Sequence, residues 1–340
     1  MAKKTRLSPE LERGFNHRNL KPEEVDRLRA MATAYQEFIP VRWPERDFEL
    51  YHTYFGFLTA LKAKSAILEM YQYGLLSKSK NYEVVELGPG TLGASLGVCD
   101  ALRDFGSSSI RARGIDVQES AFRWAKSKFS AFLPSAVEYL RNPPRLEQNA
   151  DRIIIAANFL IEIKDRLDSD PLVRWLEEQF EQLSGRNLFL FIEPAEFEFN
   201  QKFLALRDLW SQKIRVLLPC THQKACPAKQ QSEWCHEDRA YEAPSAYWNM
   251  VHQLGFRQKN LSFSYLVLGK QTPPFQDHHA RVVSDDVSGK GLAERWLCAQ
   301  GRRWKQSALL RHQSEETLSF YESQRGDIVD LRIFEDSRQH

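Results

Sequence analysis

"YEVVELGPGTLGASLGVCDAL", residues 82–102, begins as a short apolar run, breaks at Gly88-Pro89-Gly90 and resumes with helical spacing. A short run of β-branched and apolar residues that ends in glycine reads as a parallel strand buried on both faces. The segment "TLGASLGVCDALRDFG" then reads as the helix that follows it. Gly88 and Gly90 let the backbone approach a ligand without an intervening Cβ, and Gly93 allows a tight entry into the helix. Further on, "GIDV" sets Asp116 at the tip of a second strand, where a carboxylate can accept two hydrogen bonds from ribose hydroxyls.

Outward from this turn the pattern repeats. "QESAFRWAKSKFSAFL" reads as a helix, "ADRIIIAANFL" and "RNLFLFIEP" as strands, and "DPLVRWLEEQFEQL" as the helix between them. Strand alternating with helix at this spacing predicts a doubly wound parallel α/β sheet over about 81–215. Residues 1–80 carry apolar side chains at three-to-four spacing and predict a helical N-terminal region. The α/β domain continues to 270, through a cysteine-rich loop at 217–239, the helix "APSAYWNMVHQLGF" and the strand "FSYLVLGK". Residues 271–340 form a basic C-terminal extension of alternating strand-like and basic segments.

Composition narrows the setting. Apolar residues make up 42% and charged residues 27%, as in ordinary globular chains. A formal net charge of +2 leaves any nucleic-acid argument to local clustering. The charged start "MAKKTRLSPELERGF" has no secretory h-region, and no run approaches the roughly 20 apolar residues of a membrane span. The expectation is a cytoplasmic chain without membrane contact, where clustered thiols mean metal or chemistry more often than disulfides.

"LLPCTHQKACPAKQQSEWCHEDR", residues 217–239, holds Cys220, Cys226 and Cys235. The paired spacing of zinc knuckles is absent, so these thiols suit a longer wrapping loop that needs one more ligand. Cys99, on the apolar face of the first helix, reads as core. Cys298, in "LAERWLCAQGRRWK", is preferred over His222 and His236 for the fourth position, and would tie the extension to the sheet domain. Nearby, Arg302, Arg303, Lys305 and Arg311 surround Trp304, a pattern that can pair with phosphates and stack on bases.

Two resemblances add to these readings. Glu86-Leu87-Gly88-Pro89-Gly90-Thr91 resembles the E/D-x-G-x-G signature of class I S-adenosylmethionine-dependent methyltransferases, with a Rossmann-like sheet. That resemblance sets Glu86, Gly88 and Gly90 beside the methionine part of the cofactor and Asp116 beside its ribose. "AVEYLRNPPRL" lacks the acid that holds adenine in such enzymes, leaving Asn142 as a substitute. "AANFLIEIKD" lacks the Asn/Asp-Pro-Pro-aromatic motif, leaving Asn158 and Glu162 as polar groups.

The string Pro219-Cys220-Thr221-His222, Cys226-Pro227, Trp234-Cys235-His236, Phe263-Ser264-Tyr265-Leu266 and Cys298-Ala299-Gln300-Gly301-Arg302 resembles the Rsm-twenty-two family of methyltransferase-like small-ribosomal-subunit proteins. The resemblance implies a role in ribosome assembly or translation, with binding to small-subunit rRNA. It also implies a 4Fe-4S cluster on Cys220, Cys226, Cys235 and Cys298, S-adenosylmethionine as a second cofactor, and a monomer off the ribosome. Ala195 and Ile161-Glu162 depart from the family pattern and bear on methyl transfer to rRNA. The alternative is an active S-adenosylmethionine-dependent methyltransferase of a small molecule or protein, with structural zinc.

Overall fold

Asn81–Leu87 forms strand β1, and its Val84 and Val85 are fully buried, as a strand covered on both faces requires. The structure, a computed structural model, describes residues 4–37, 43–116, 118–142, 150–165, 167, 170–182, 187–315 and 317–334. Ahead of β1 lie helices α1 (Pro9–Gly14), α2 (Pro22–Gln36), α3 (Phe48–Tyr51) and α4 (Phe57–Gln72), with a π turn at His52–Gly56 joining the last two. After β1 come α5 (Gly93–Asp104), β2 (Ser108–Ile115), α6 (Glu119–Lys128), β3 (Val137–Leu140), β4 (Arg152–Ala157) and α7 (Phe159–Glu162). Next are α8 (Pro171–Gln182), β5 (Asn187–Pro194), α9 (Phe197–Trp210), β6 (Arg215–Leu218) and α10 (Pro227–Gln230). β7 (Glu237–Arg239), α11 (Ser245–Leu254) and β8 (Leu261–Gly269) complete the large sheet and its helices.

The strand order is β3-β2-β1-β4-β5-β8-β6. β1 to β5 pair in parallel, whereas β8 runs antiparallel between β5 and β6. The fold is therefore α/β and Rossmann-like, with the parallel sheet expected over 81–215 present as β1 to β5, while β8, beyond that span, is reversed. Apolar runs report burial and not direction, which is why the reversal was invisible in the pattern.

β6 and β7 pair with the same edge of β8. Leu218 sits opposite Val267 and Glu237 opposite Phe263. Residues 219–236 are thus one long excursion from a single strand line, opened opposite Ser264, Tyr265 and Leu266. The cysteine-rich loop is this excursion.

Small residues bring α4 and α5 close. A Cβ on Gly97 would fall 2.0 Å from the Ala60 carbonyl oxygen, and one on Gly93 would fall 2.9 Å from that of Gly56. Gly93 therefore serves helix packing as well as the turn. The N-terminal helices share one apolar core with a face of the sheet, from Leu11 and Phe57 to Leu190 and Val267.

The C-terminal extension folds as a second, antiparallel sheet. β9 (His279–Val282), β10 (Leu292–Ala299), β11 (Arg302–Leu309) and β12 (Ile328–Asp330) take the order β11-β10-β9-β12, with a short helix α12 (Leu318–Tyr321) beside them. Its small core comprises Ala280, Val282, Ala293, Leu297, Ala299, Phe320 and Val329. Arg281 of β9, 3% exposed, joins this sheet to the main body through Glu69 of α4 and Glu237 of β7, at 2.8 and 2.9 Å. No helix among the described residues is long and apolar enough to cross a membrane.

Candidate functional site

Two hollows hold the residues singled out by the sequence. The first, about 100 Å³, opens at the carboxyl ends of β1, β2 and β4 and is lined by Glu86, Gly88, Gly90, Asp116, Asn158 and Glu162. Gly88 and Gly90 have φ of 65° and 47°, in the left-handed region that favours glycine. A Cβ on Gly90 would meet nothing within 4 Å, so the missing side chain opens onto the hollow. The Asp116 carboxylate accepts the Gly90 N–H at 2.7 Å and the Gln118 N–H at 2.8 Å, which fixes the turn to the second strand. Asn158, with φ 55°, donates its N–H to Ile192. A non-glycine residue held there stores backbone strain, a feature that clusters at functional sites.

The N-terminal region supplies a wall that sequence reading missed. Tyr35, Trp43 and Tyr51 line the hollow, the Tyr35 and Tyr51 hydroxyls are 2.8 Å apart, and Gln118 donates to the Trp43 carbonyl at 2.7 Å. The aromatic density of "YHTYFGF" was the available signal. Asn142 is exposed and does not line the hollow. Glu162 is exposed at its mouth.

Glu86 lines the hollow, yet its carboxylate turns onto the start of α5, accepting from the Ser95 N–H at 3.0 Å and from the Ser95 hydroxyl. Burial pushes this carboxyl from its ordinary 4.5 up to about 8, against the Ser95 bonds. A carboxyl with a raised folded pKa stabilises the fold below about pH 4.5, and that contribution fades as pH climbs toward 8. Stability should therefore fall less between pH 5 and 8 in Glu86→Gln than in the wild type, read as urea midpoints. Equal slopes in the two proteins would mean that Glu86 ionises in the fold as it does in water.

The second hollow is an apolar cavity of about 50 Å³ between the excursion, α9, β8 and the small sheet. Cys220, Cys226, Cys235 and Cys298 all line it, with His222, His236, Arg207 and Arg303. Residues some 60 to 80 positions apart in the chain thus meet at one point, and Cys298 sits near the end of β10 as the sequence suggested. Cys226 is buried and the other three are half-buried. Burial, and then the neighbouring Cys220, push the Cys226 thiol up to about 11, while Cys235 and Cys298 are also raised. The His222 Nε2 lies 3.8 Å from the Cys298 sulfur, and burial lowers its imidazole to about 4. Cys99 is buried on α5 beside Ser109, away from this cavity.

Helix α9, unread in the sequence, organises the excursion. Asn200 donates to the Cys235 carbonyl at 2.7 Å and accepts the Cys235 N–H at 3.2 Å. Asp208 accepts the Cys226 N–H at 2.9 Å, and Arg207 donates to the carbonyls of His222 and Lys224 at 2.8 and 2.6 Å. Both sides of the loop are fixed by one helix face. The available signal was Asn200 and Arg207, seven residues apart on a helix otherwise buried through Phe199, Phe203, Leu206 and Trp210.

Of the basic residues, Arg302, Lys305 and Arg311 are exposed. Arg303 reaches Glu233 at 2.6 Å, and Lys305 reaches Glu294 at 3.1 Å on the surface. His278, His279 and Asp330 bring ligand atoms within 4.8 Å of one another, and the four cysteine sulfurs do not form such a group. The histidine trio is already committed, because His279 Nδ1 accepts the Gln276 N–H and Asp330 chelates the Arg332 guanidinium.

No curated protein sequence matches the chain. Among solved structures, the METTL16 methyltransferase domain is 10% identical over 77% of this chain and 90% of that one, with a TM-score of 0.41. Precorrin-6y C5,15-methyltransferase from Geobacter metallireducens is 8% identical over 62% and 89%, at 0.37. A SAM-dependent methyltransferase from Aquifex aeolicus is 12% identical over 68% and 100%, at 0.34. Residues 132–327, which take in the cysteine excursion and most of the small sheet, match the family model described as mitochondrial small ribosomal subunit Rsm22, and the chain belongs to that family.

Proposed function

We propose that this chain acts on the small ribosomal subunit, in its assembly or in translation, with Cys220, Cys226, Cys235 and Cys298 holding a 4Fe-4S cluster. In this reading S-adenosylmethionine occupies the glycine-turn hollow through Gly88, Gly90 and Asp116, and supplies a methyl group for which rRNA is the acceptor. Arg302 and Arg311 contact rRNA phosphates. The chain works in the cytoplasm, as a monomer when off the ribosome.

One observation carries the cluster reading: four thiols from two distant segments line one cavity. Soft thiolates suit either an iron–sulfur cluster or zinc, and the family resemblance favours the cluster. When bound, the cluster supplies a rigid crosslink from the excursion to β10. The ribosomal part rests on family membership and on the exposure of Arg302 and Arg311.

The test is metal and acid-labile sulfide analysis after anaerobic purification, with about four irons and four sulfides per chain expected. One zinc per chain without sulfide would sink the cluster. Co-sedimentation with small subunits tests the other half, and the double variant Arg302→Ala, Arg311→Ala should bind more weakly with a shallower salt dependence.

A further inference from the structure

The cysteine cavity has two guanidinium groups in its wall, and the buried Nε–H of each is without a partner. Arg207 is 1% exposed. Its Nη1 donates to Asp208 and the Lys224 carbonyl and its Nη2 to the His222 carbonyl, while its buried Nε has no acceptor. Arg303 meets Glu233 through Nη1, and its buried Nε is likewise unpartnered. A buried donor without an acceptor costs about 1–3 kcal/mol, so two around one hollow call for an explanation.

The geometry assigns each a sulfur. Arg303 stands directly across the β10–β11 ladder from Cys298, where side chains of a pair share one face. Arg207, on α9, lines the same cavity as Cys220.

We propose that Arg207 and Arg303 are the counter-charges of the thiolate centre, donating Nε–H to the sulfurs of Cys220 and Cys298. The proposal rests on the cluster reading and explains why the two donors are left open. Four thiolates bring more negative charge than an inorganic core returns, and an apolar hollow cannot screen the excess. Fixed cations with directed N–H groups offset it, and hydrogen bonds to cluster sulfurs set the potential. Arg303 then belongs to this cavity rather than to an RNA surface.

The experiment uses the anaerobically purified full chain and compares wild type with Arg207→Met, Arg303→Met and the corresponding lysine variants. Two readouts are taken, the midpoint potential and the rate at which a chelator strips iron. A nearby cation stabilises the more negative, reduced cluster, so each methionine variant should lower the potential and speed iron loss about tenfold. Lysine should restore most of the potential, because it keeps the charge, and little of the iron retention, because it lacks the fork. Should Arg207→Met not fold, Arg303→Met at the rim carries the test. Unchanged potential and stripping rate in an iron-loaded methionine variant overturn the proposal and leave the cluster standing. If the wild type holds zinc, the cluster reading fails, and faster zinc stripping in the variants still supports the counter-charge. A chain that takes neither metal overturns both.

Discussion

Replacing Arg281 with methionine should cost about 3–5 kcal/mol in unfolding free energy, the largest loss expected of any single change outside the core. The guanidinium is buried and sits between two carboxylates, Glu69 at 2.8 Å and Glu237 at 2.9 Å, with the Pro219 carbonyl at 3.3 Å. Removing it strands two buried acids beside Arg239, which already binds both. The penalty comes from that stranded charge more than from a lost attraction. Neutralising one acid at the same time, in Arg281→Met with Glu237→Gln, should therefore recover part of the loss, and a double-mutant cycle in urea measures how much. Acid acts in the same direction. Burial alone would raise Glu69, but Arg239 and Arg281 hold its carboxyl down at about 2. This contribution is complete above about pH 4.5 and disappears as pH falls toward 2, opposite in sign to that of Glu86. A loss below about 1 kcal/mol would show that Arg239 alone satisfies both carboxylates.

The network also explains what could and could not be read from the chain. β1, the glycine turn and α5 were legible because a buried strand, a φ-permissive turn and a helix each leave a local pattern. The alternation as far as β5 followed for the same reason. The reversal at β8 did not, since Leu261–Gly269 is as apolar as a parallel strand would be. Three cysteines at odd intervals looked unlike any compact knuckle. The structure supplies the reason: they lie on an excursion between β6 and β7, and α9 fixes its turns from outside, so no tight local spacing is needed. Glu69 and Arg281 stand 212 positions apart, and nothing in their neighbours' pattern marks either as buried. Charges read as solvated until a tertiary contact removes them from water. The same holds for Arg303, whose setting beside Trp304 suggested nucleic acid and whose partner is Glu233.

Cys298→Ser separates the two attachments of the small sheet. In the proposed centre this residue is the ligand from β10, and a serine hydroxyl is a poor, hard replacement for a soft thiolate. Iron retention should drop at least about tenfold, since even supporting residues around a metal cost that much when lost. The sheet itself should stay in place. Arg281 is opposite Cys298 on the neighbouring strand, and although Glu237 also lines the cavity, the contacts of Arg281 to Glu69 and Glu237 use no cysteine sulfur. Limited proteolysis would read this directly: residues 271–334 should resist cleavage as well in Cys298→Ser as in the wild type, and be cut faster in Arg281→Met. Iron held undiminished by Cys298→Ser would move the fourth ligand to His222, whose Nε2 is 3.8 Å from that sulfur, and a second change, His222→Ala, would then strip the metal. Rapid cleavage of the small sheet in Cys298→Ser would show instead that the metal centre, and not the buried arginine, latches the two sheets together.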